Sequence, residues 1–169
     1  MPTYMYTTSV PVFEQLLGSL SAILAKAETF AAEKKIEPKV LLDARLTPDM
    51  FPLSRQVQIA TDFARSVSAR LAAVEVPAYD DNEQAFAELQ GRIANTLVFL
   101  DNLDPAQFEG SETLEIVLRP GTPKEKKLVG HAYLCHYGLP QFYFHVTTAY
   151  AILRHNGLEI GKGDFMGAY

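Results

Sequence analysis

The sequence has little cysteine, no excess of basic residues and no long apolar run, and each shortage excludes a class of protein. Its single cysteine, Cys135, can form neither an intramolecular disulfide nor a multi-cysteine zinc site. Fifteen Lys and Arg residues stand against twenty Asp and Glu residues, which gives a formal net charge of -5. Because the chain is acidic and lacks a basic block, we do not expect it to bind nucleic acid directly.

Membrane and secretion signals are also missing from the sequence. No run reaches the ~18 apolar residues of a membrane span, and the N-terminal residues MPTYMYTTSV lack the basic region of a signal peptide. The sequence likewise contains no GxGxxG, Walker, GxSxG or HExxH motif, so the familiar nucleotide-binding and hydrolase signatures are absent. We therefore expect a cytoplasmic protein without a membrane partner.

What the chain does contain is typical of one globular domain. Its 169 residues are 48% hydrophobic and 21% charged, which suits a single domain over residues 1–169. Four segments carry apolar residues at helical spacing, and this predicts helices over residues 10–34, 51–74, 82–101 and 141–156. Residues 111–129 alternate instead and contain a Pro-Gly-Thr-Pro turn sequence, which predicts a small hairpin. The expected fold class is all-α, a four-helix bundle with a β-hairpin insertion before the last helix.

The candidate site residues are polar side chains that interrupt the apolar helix faces, because bundles build their sites in the core. Gln141 and His145 lie four residues apart, so they share one face of the last helix. Gln56 interrupts the apolar stripe of the second long helix. We expect Gln56, Gln141 and His145 to converge on one pocket. The alternative is that each is an ordinary buried polar group, hydrogen-bonded to a neighbour.

Other polar residues are weaker candidates. Gln58 and Asp62 fall nearer an edge of the second long helix, which favours a structural role for both. His131 and His136 are five residues apart, a spacing that matches neither a helical face nor a strand face. Cys135 lies beside His136 and raises the question of a nucleophile next to a base. A small hydrophobe packed under the surface is the favoured interpretation.

Two segments of the chain resemble a known family. Residues 49–62 (DMFPLSRQVQIATD) and residues 142–157 (FYFHVTTAYAILRHNG) are similar to an uncharacterised bacterial and fungal family with a domain of unknown function. That family is assigned to the DinB/YfiT-like metalloenzyme superfamily, and the resemblance covers essentially the whole chain. It implies an up-down four-helix bundle with a long crossover, often dimeric, with a divalent-metal site lined by three histidines.

The metal positions that the resemblance implies depart from the superfamily pattern in this sequence. Two of them fall on Gln141 and His145 and the third falls near Gln56 or Gln58, so one histidine of three is kept. Amide oxygens are poor ligands for first-row metals. We therefore expect no cofactor. A divalent metal, if one binds, would use His145 with Gln56 and Gln141.

The sequence leaves three functions open and does not decide whether the protein is an enzyme. The first, which we expect, is binding of a small molecule in a pocket between the second and last long helices. The second is a metal-dependent transferase of small molecules, because superfamily members with intact sites include metal-dependent thiol transferases. The third is a non-enzymatic dimeric protein with a structural or stress-related role. We expect a homodimer, from the resemblance and from the general preference of soluble oligomers for two-fold interfaces.

Overall fold

The structure is a computed structural model that describes residues 3–169. In chain order its helices are α1 (Tyr4–Thr7), α2 (Val10–Glu33), α3 (Pro38–Leu42), α4 (Leu53–Leu71), α5 (Phe86–Asp101), α6 (Gly130–Ala132), α7 (Leu139–His155) and α8 (Lys162–Met166). A 3-10 helix covers Pro105–Phe108 and a π-helical turn covers Tyr133–Gly138. Strands β1 (Glu115–Leu118) and β2 (Lys126–Val129) form the one sheet within the described residues.

Four long helices, α2, α4, α5 and α7, share one core, and the predicted helical fold with a small hairpin is confirmed. Helices α2 and α4 each lie against both α5 and α7. Phe13 of α2 meets Phe142 of α7 edge to face, with ring centroids 4.8 Å apart, and both side chains are fully buried. Such pairs add to the burial of apolar area that holds the helices together. The up-and-down sense of the bundle stays a prediction.

The hairpin packs one face on the bundle. Strands β1 and β2 pair antiparallel with Ile116 opposite Leu128. Ile116 and Leu118 are buried while Glu115 is exposed, which is the period-two pattern of a half-buried strand. The turn between the strands contains Gly121 at a φ of 73°, a left-handed conformation that glycine adopts without strain.

The last helical segment begins earlier than the sequence predicts. The spacing predicts a start at Gln141, whereas α6, the π-helical turn and α7 follow one another without a break from Gly130 to His155. Pro140 lies in the first turn of α7, directly after the π-helical turn. Because proline has no N–H to donate, the hydrogen-bond pattern changes there, and a π-helical turn absorbs such a change.

Helix α5 begins later than the sequence predicts. The pattern predicts a start at residue 82, where Asp81 or Asn82 can act as the cap, yet the helix starts at Phe86 with Ala85 before it. The Asp81 carboxylate is instead bound by Arg55 at 2.5 Å and by Arg92 at 3.0 Å. These ion pairs use the carboxylate that a cap would need, and the chain up to Ala85 stays outside the helix.

The C-terminal tail has more structure than its lack of periodicity suggests. Helix α8 packs against α2, where Lys26 pairs with Asp164 at 2.5 Å. The Asp164 carboxylate also accepts the Gly161 N–H at 2.8 Å and so caps the short helix. A helix of this length is fixed by such contacts rather than by an apolar stripe.

Within the described residues one helical stretch, Tyr4–Glu33, is long and apolar enough to cross a membrane by length and composition alone. The core helix of a bundle passes the same test. In the structure Phe13, Leu17 and Leu20 of this stretch are fully buried, which accounts for the high hydropathy of α2. The cytoplasmic location stays a prediction.

Candidate site at the start of α4 and α7

The candidate site lies where the first turn of α4 meets the first turns of α7. Pro52 precedes α4, and its carbonyl accepts the Gln56 N–H at 3.0 Å, which places Gln56 in the first turn. Helices α4 and α7 pack along one another, and this brings Gln56 against His145. Both side chains are buried, with 1% of Gln56 and 7% of His145 exposed.

Gln56 and His145 form a direct hydrogen bond. The Gln56 Nε2 donates to the Phe51 carbonyl at 3.1 Å, which orients the amide so that Oε1 faces the imidazole. Oε1 lies 2.7 Å from His145 Nδ1. Since an amide oxygen only accepts, the proton of the neutral ring lies on Nδ1 and Nε2 keeps its lone pair. Nothing else in residues 3–169 hydrogen-bonds to the His145 ring.

The surroundings of His145 keep it uncharged. Burial lowers the pKa of His145 to about 4, and the positive charge of Arg55 acts in the same direction. The ring stacks on Phe63 with centroids 6.1 Å apart and meets Phe144 edge-on at 5.2 Å. These aromatic neighbours cannot replace the water that would solvate an imidazolium. At neutral pH His145 is therefore a neutral ring with an acceptor at Nε2.

A cavity of about 370 Å³ opens beside this pair. Its wall consists of Asp49, Met50, Phe51, Gln56, Gln141, Phe144 and His145. The three residues singled out from the sequence thus line one space, with Gln141 half-buried. Sequence reasoning missed the other four, because loop residues and an outward-facing aromatic do not interrupt an apolar helix face.

The donors of this cavity do not fit a divalent transition metal. Catalytic zinc sites keep three protein ligands of the imidazole, thiolate or carboxylate type. His145 and Asp49 are the residues of the wall that supply such groups, and the Gln56 oxygen is already bonded to His145. Across residues 3–169, no cluster of three or more His, Cys, Asp or Glu side chains could hold a metal ion.

Gln58 lies in a different environment, buried under the segment before α5. Its side chain is 5% exposed. Its Nε2 donates to Glu83 at 2.8 Å, and its Oε1 accepts from Arg55 at 3.0 Å. The residue joins the start of α4 to the segment before α5, which is a structural role.

Asp62 also has a structural role, as the sequence favoured. Its carboxylate oxygen lies 2.7 Å from Arg92 and 2.7 Å from Arg65, so two buried guanidinium groups share it. Burial is the largest influence on Asp62 and raises its pKa, against the opposing effect of the two arginines. Tyr79 covers this arginine pair, with its ring 3.9 Å from the Arg65 guanidinium carbon.

Beside the π-helical turn, His131 and His136 are neighbours, which their spacing in the sequence does not predict. The rings of His131 and His136 lie 6.3 Å apart, since the i→i+5 pattern of a π-helical turn brings residues five apart closer to one face than an α-helix does. Cys135 is half-buried and packs against the core, with Sγ 3.9 Å from His131 Nδ1. None of the three lines the cavity beside His145.

Fold and site together define a helical-bundle protein with a neutral histidine–amide pair beside a small cavity. A family model described as "Domain of unknown function (DUF1993)" matches residues 5–166, and the chain belongs to this family. The resemblance noted from residues 49–62 and 142–157 is thus confirmed. A crystal structure described as a DinB family member protein from Shewanella denitrificans is 44% identical, with a TM-score of 0.91 over 97% of this chain and 92% of that chain. No curated protein matches the sequence.

Proposed function

We propose that this protein binds a small molecule in the cavity beside Gln56 and His145, and that the ligand donates a hydrogen bond to His145 Nε2. The supporting observation is the 2.7 Å bond between Gln56 Oε1 and His145 Nδ1, which leaves Nε2 as the unpaired acceptor of the ring. His145 lines a cavity of about 370 Å³, within the range of small-molecule pockets. Its aromatic and apolar neighbours favour a ligand with an apolar body.

Binding is better supported than acid–base catalysis. A general base is most effective when its pKa lies near the working pH. His145, with a pKa of about 4, is a weak base that stays uncharged at neutral pH. Its partner Gln56 is a neutral amide, which orients the ring but lacks the negative charge by which a carboxylate raises the basicity of an imidazole.

The metal-dependent transferase is less well supported by the same side chains. It would need a ligand set that Gln56 and Gln141 replace with neutral amides, of which Gln56 is already engaged. We therefore propose that the ligand binds without a resident metal. The ring orientation resembles that of metal-bound histidines, whose second nitrogen also donates to a carbonyl, but the remaining ligands are missing from the cavity wall.

Two matched probes test the hydrogen bond to Nε2. Benzyl alcohol and benzyl methyl ether carry the same apolar ring, but only the alcohol donates a hydrogen bond. We expect the alcohol to bind about fivefold tighter to the wild-type protein, because one neutral hydrogen bond contributes about 1 kcal/mol. Backbone amide shifts in NMR titrations give both dissociation constants and report whether the cavity residues respond.

A substitution assigns the effect to one ring. His145→Phe keeps an aromatic side chain but removes Nε2, and we expect it to abolish the preference for the alcohol. His155→Phe is the matched control, since His155 is exposed at the other end of α7. Equal affinity of the wild-type protein for the two probes contradicts the proposal even if His145→Phe fails to fold.

A further inference from the structure

The polar groups that the cavity offers to a ligand are mainly acceptors. Both polar atoms of Gln56 are used, one by Phe51 and one by His145. The other polar side chains of the wall are Asp49, Gln141 and His145, whose Nε2 has no hydrogen-bond partner among the described residues. The Gln141 amide is the one side-chain donor in this set, and no Lys or Arg belongs to the wall.

Asp49 contributes a charge to this set. It lies at the exposed rim, where Thr47 Oγ1 donates to its carboxylate at 2.7 Å. This bond, together with one from its own backbone, holds the pKa of Asp49 below its usual range, so the group is ionised at neutral pH. Within residues 3–169 no Lys or Arg forms an ion pair with it.

The apolar part of the wall suits a cation as well. Phe51 and Phe144 each leave 53% of their surface exposed, and both line the cavity. The face of an aromatic ring attracts a positive charge, and the attraction grows as the charge leaves water. Met50 adds a polarizable side chain to the same wall.

We propose that the ligand of this cavity is an organic cation, a primary ammonium group on a small apolar body. This rests on the proposed function and names its ligand class. The N–H groups of an ammonium match the acceptors that remain free, since it donates three hydrogen bonds and accepts none. The neutral state of His145 is essential, because a protonated imidazole would repel the ligand and would have no acceptor to offer.

Two arginines lie close to this region, and both already donate hydrogen bonds. Arg55, whose charge reaches His145, donates to Asp81 at 2.5 Å and to Gln58 at 3.0 Å. Arg45 donates to the Met50 carbonyl at 2.9 Å. The Asp81 carboxylate offsets the charge of Arg55, which leaves Asp49 as the one charged side chain of the cavity wall.

Three probes of one shape test the sign of the ligand charge. Benzylammonium, benzyl alcohol and benzoate share the ring and differ in charge at pH 7. We expect benzylammonium to bind the full chain about fivefold tighter than benzyl alcohol, in keeping with an exposed ion pair and a cation–π contact. Benzoate should bind weakest. The shifts of the cavity residues in NMR titrations give the three dissociation constants.

Asp49→Asn identifies the charge responsible. We expect the preference for benzylammonium over benzyl alcohol to fall to less than about twofold in this variant, since most of the Coulomb attraction is lost. The matched control is Asp43→Asn, because Asp43 is exposed, pairs with Lys39 and lies outside the cavity wall. The control should keep the wild-type preference.

The outcomes separate this inference from the function on which it rests. Equal binding of benzylammonium and benzyl alcohol overturns the cation and leaves small-molecule binding standing. Tightest binding of benzoate overturns the cation in favour of an anion. If none of the three probes shifts the cavity residues, the proposed function fails and the inference fails with it.

Discussion

His145 lies between Phe63 and Phe144 and donates its Nδ1 proton to Gln56, and these contacts decide its chemistry. The aromatic rings remove the water that an imidazolium needs, and the amide fixes which nitrogen carries the proton. A histidine on an exposed helix face would exchange between tautomers and titrate near its usual pKa. Here the side chain is a neutral acceptor of fixed orientation.

The buried ring makes the stability of the protein decrease in mild acid. The pKa of His145 falls from 6.5 to about 4 on folding. Between these pH values the unfolded chain therefore binds a proton at this residue, and the folded protein does not. The free energy of unfolding should therefore fall as the pH drops from 6.5 towards 4, by up to about 3 kcal/mol from this residue. Above pH 6.5 both states are neutral at this site and the effect vanishes.

Urea denaturation of wild type and His145→Gln between pH 7 and about pH 4 measures this contribution. Glutamine keeps an amide beside Gln56 but does not titrate, so its unfolding free energy should decline less steeply in this window. Carboxylates whose pKa is lowered, such as Asp81 and Asp164, act at lower pH and are common to both proteins. Parallel pH profiles of the two proteins would contradict the assigned pKa of His145.

Single residues were partly predictable at the site. Gln56, Gln141 and His145 stand out because a polar residue in an apolar stripe must find a partner when it is buried. The direct bond between Gln56 and His145 depends on how α4 and α7 pack, and that depends on contacts between distant parts of the chain. Asp49 and Phe51 lie in a loop without periodicity, so nothing in their spacing marks them as part of the wall.

At the scale of the elements, periodicity predicts the long helices and fails at their ends. The stripes of α2, α4, α5 and α7 are visible because each helix buries one face. Before α5 the Asp81 carboxylate is held in ion pairs, and before α7 the chain forms a π-helical turn. Neither feature can be predicted from the spacing of apolar residues.

Two glycines, Gly130 in α6 and Gly91 in α5, differ in how much space a side chain would have. A Cβ on Gly130 would lie 1.8 Å from the Ser111 carbonyl oxygen, a backbone atom that cannot move aside cheaply. We expect Gly130→Ala to lower the free energy of unfolding by about 3 kcal/mol. Gly91 has open space around its Cβ position within α5, so Gly91→Ala should raise it by about 0.5–1 kcal/mol. Denaturant unfolding of the two variants checks both signs; a neutral Gly130→Ala would mean that α6 does not contact Ser111 this closely.

At the scale of the whole molecule, the exposed side of α7 is apolar and uncharged. From Leu139 to Leu153 the helix contains no Lys, Arg, Asp or Glu. Tyr143 is 39% exposed and lies in a groove lined by Leu46, Pro140 and Ala151, next to Met50 and Phe144, which also line the ligand cavity. A contiguous apolar surface of this kind is typical of an interaction site.

We expect this surface to join two copies of the chain. A two-fold contact sets a patch against its own copy, and an uncharged patch does so without repulsion. Light scattering at tens of micromolar should give twice the chain mass of 18.7 kDa. Tyr143→Glu should shift the mass towards the monomer, because it sets two like charges at the contact, whereas Glu159→Gln, at an exposed position outside this groove, should not. A wild-type mass of one chain would contradict the dimer.

The claim on which the proposed function depends is that His145 offers a free Nε2 to a ligand. The most direct measurement is the ¹⁵N NMR spectrum of the His145 ring at neutral pH, without and with benzyl alcohol. We predict a proton on Nδ1 and a bare Nε2 in the free protein, and a shift of the Nε2 resonance when the alcohol binds while Nδ1 stays protonated. A proton on Nε2 in the free protein, or an Nε2 resonance that saturating alcohol leaves unmoved, would contradict the claim.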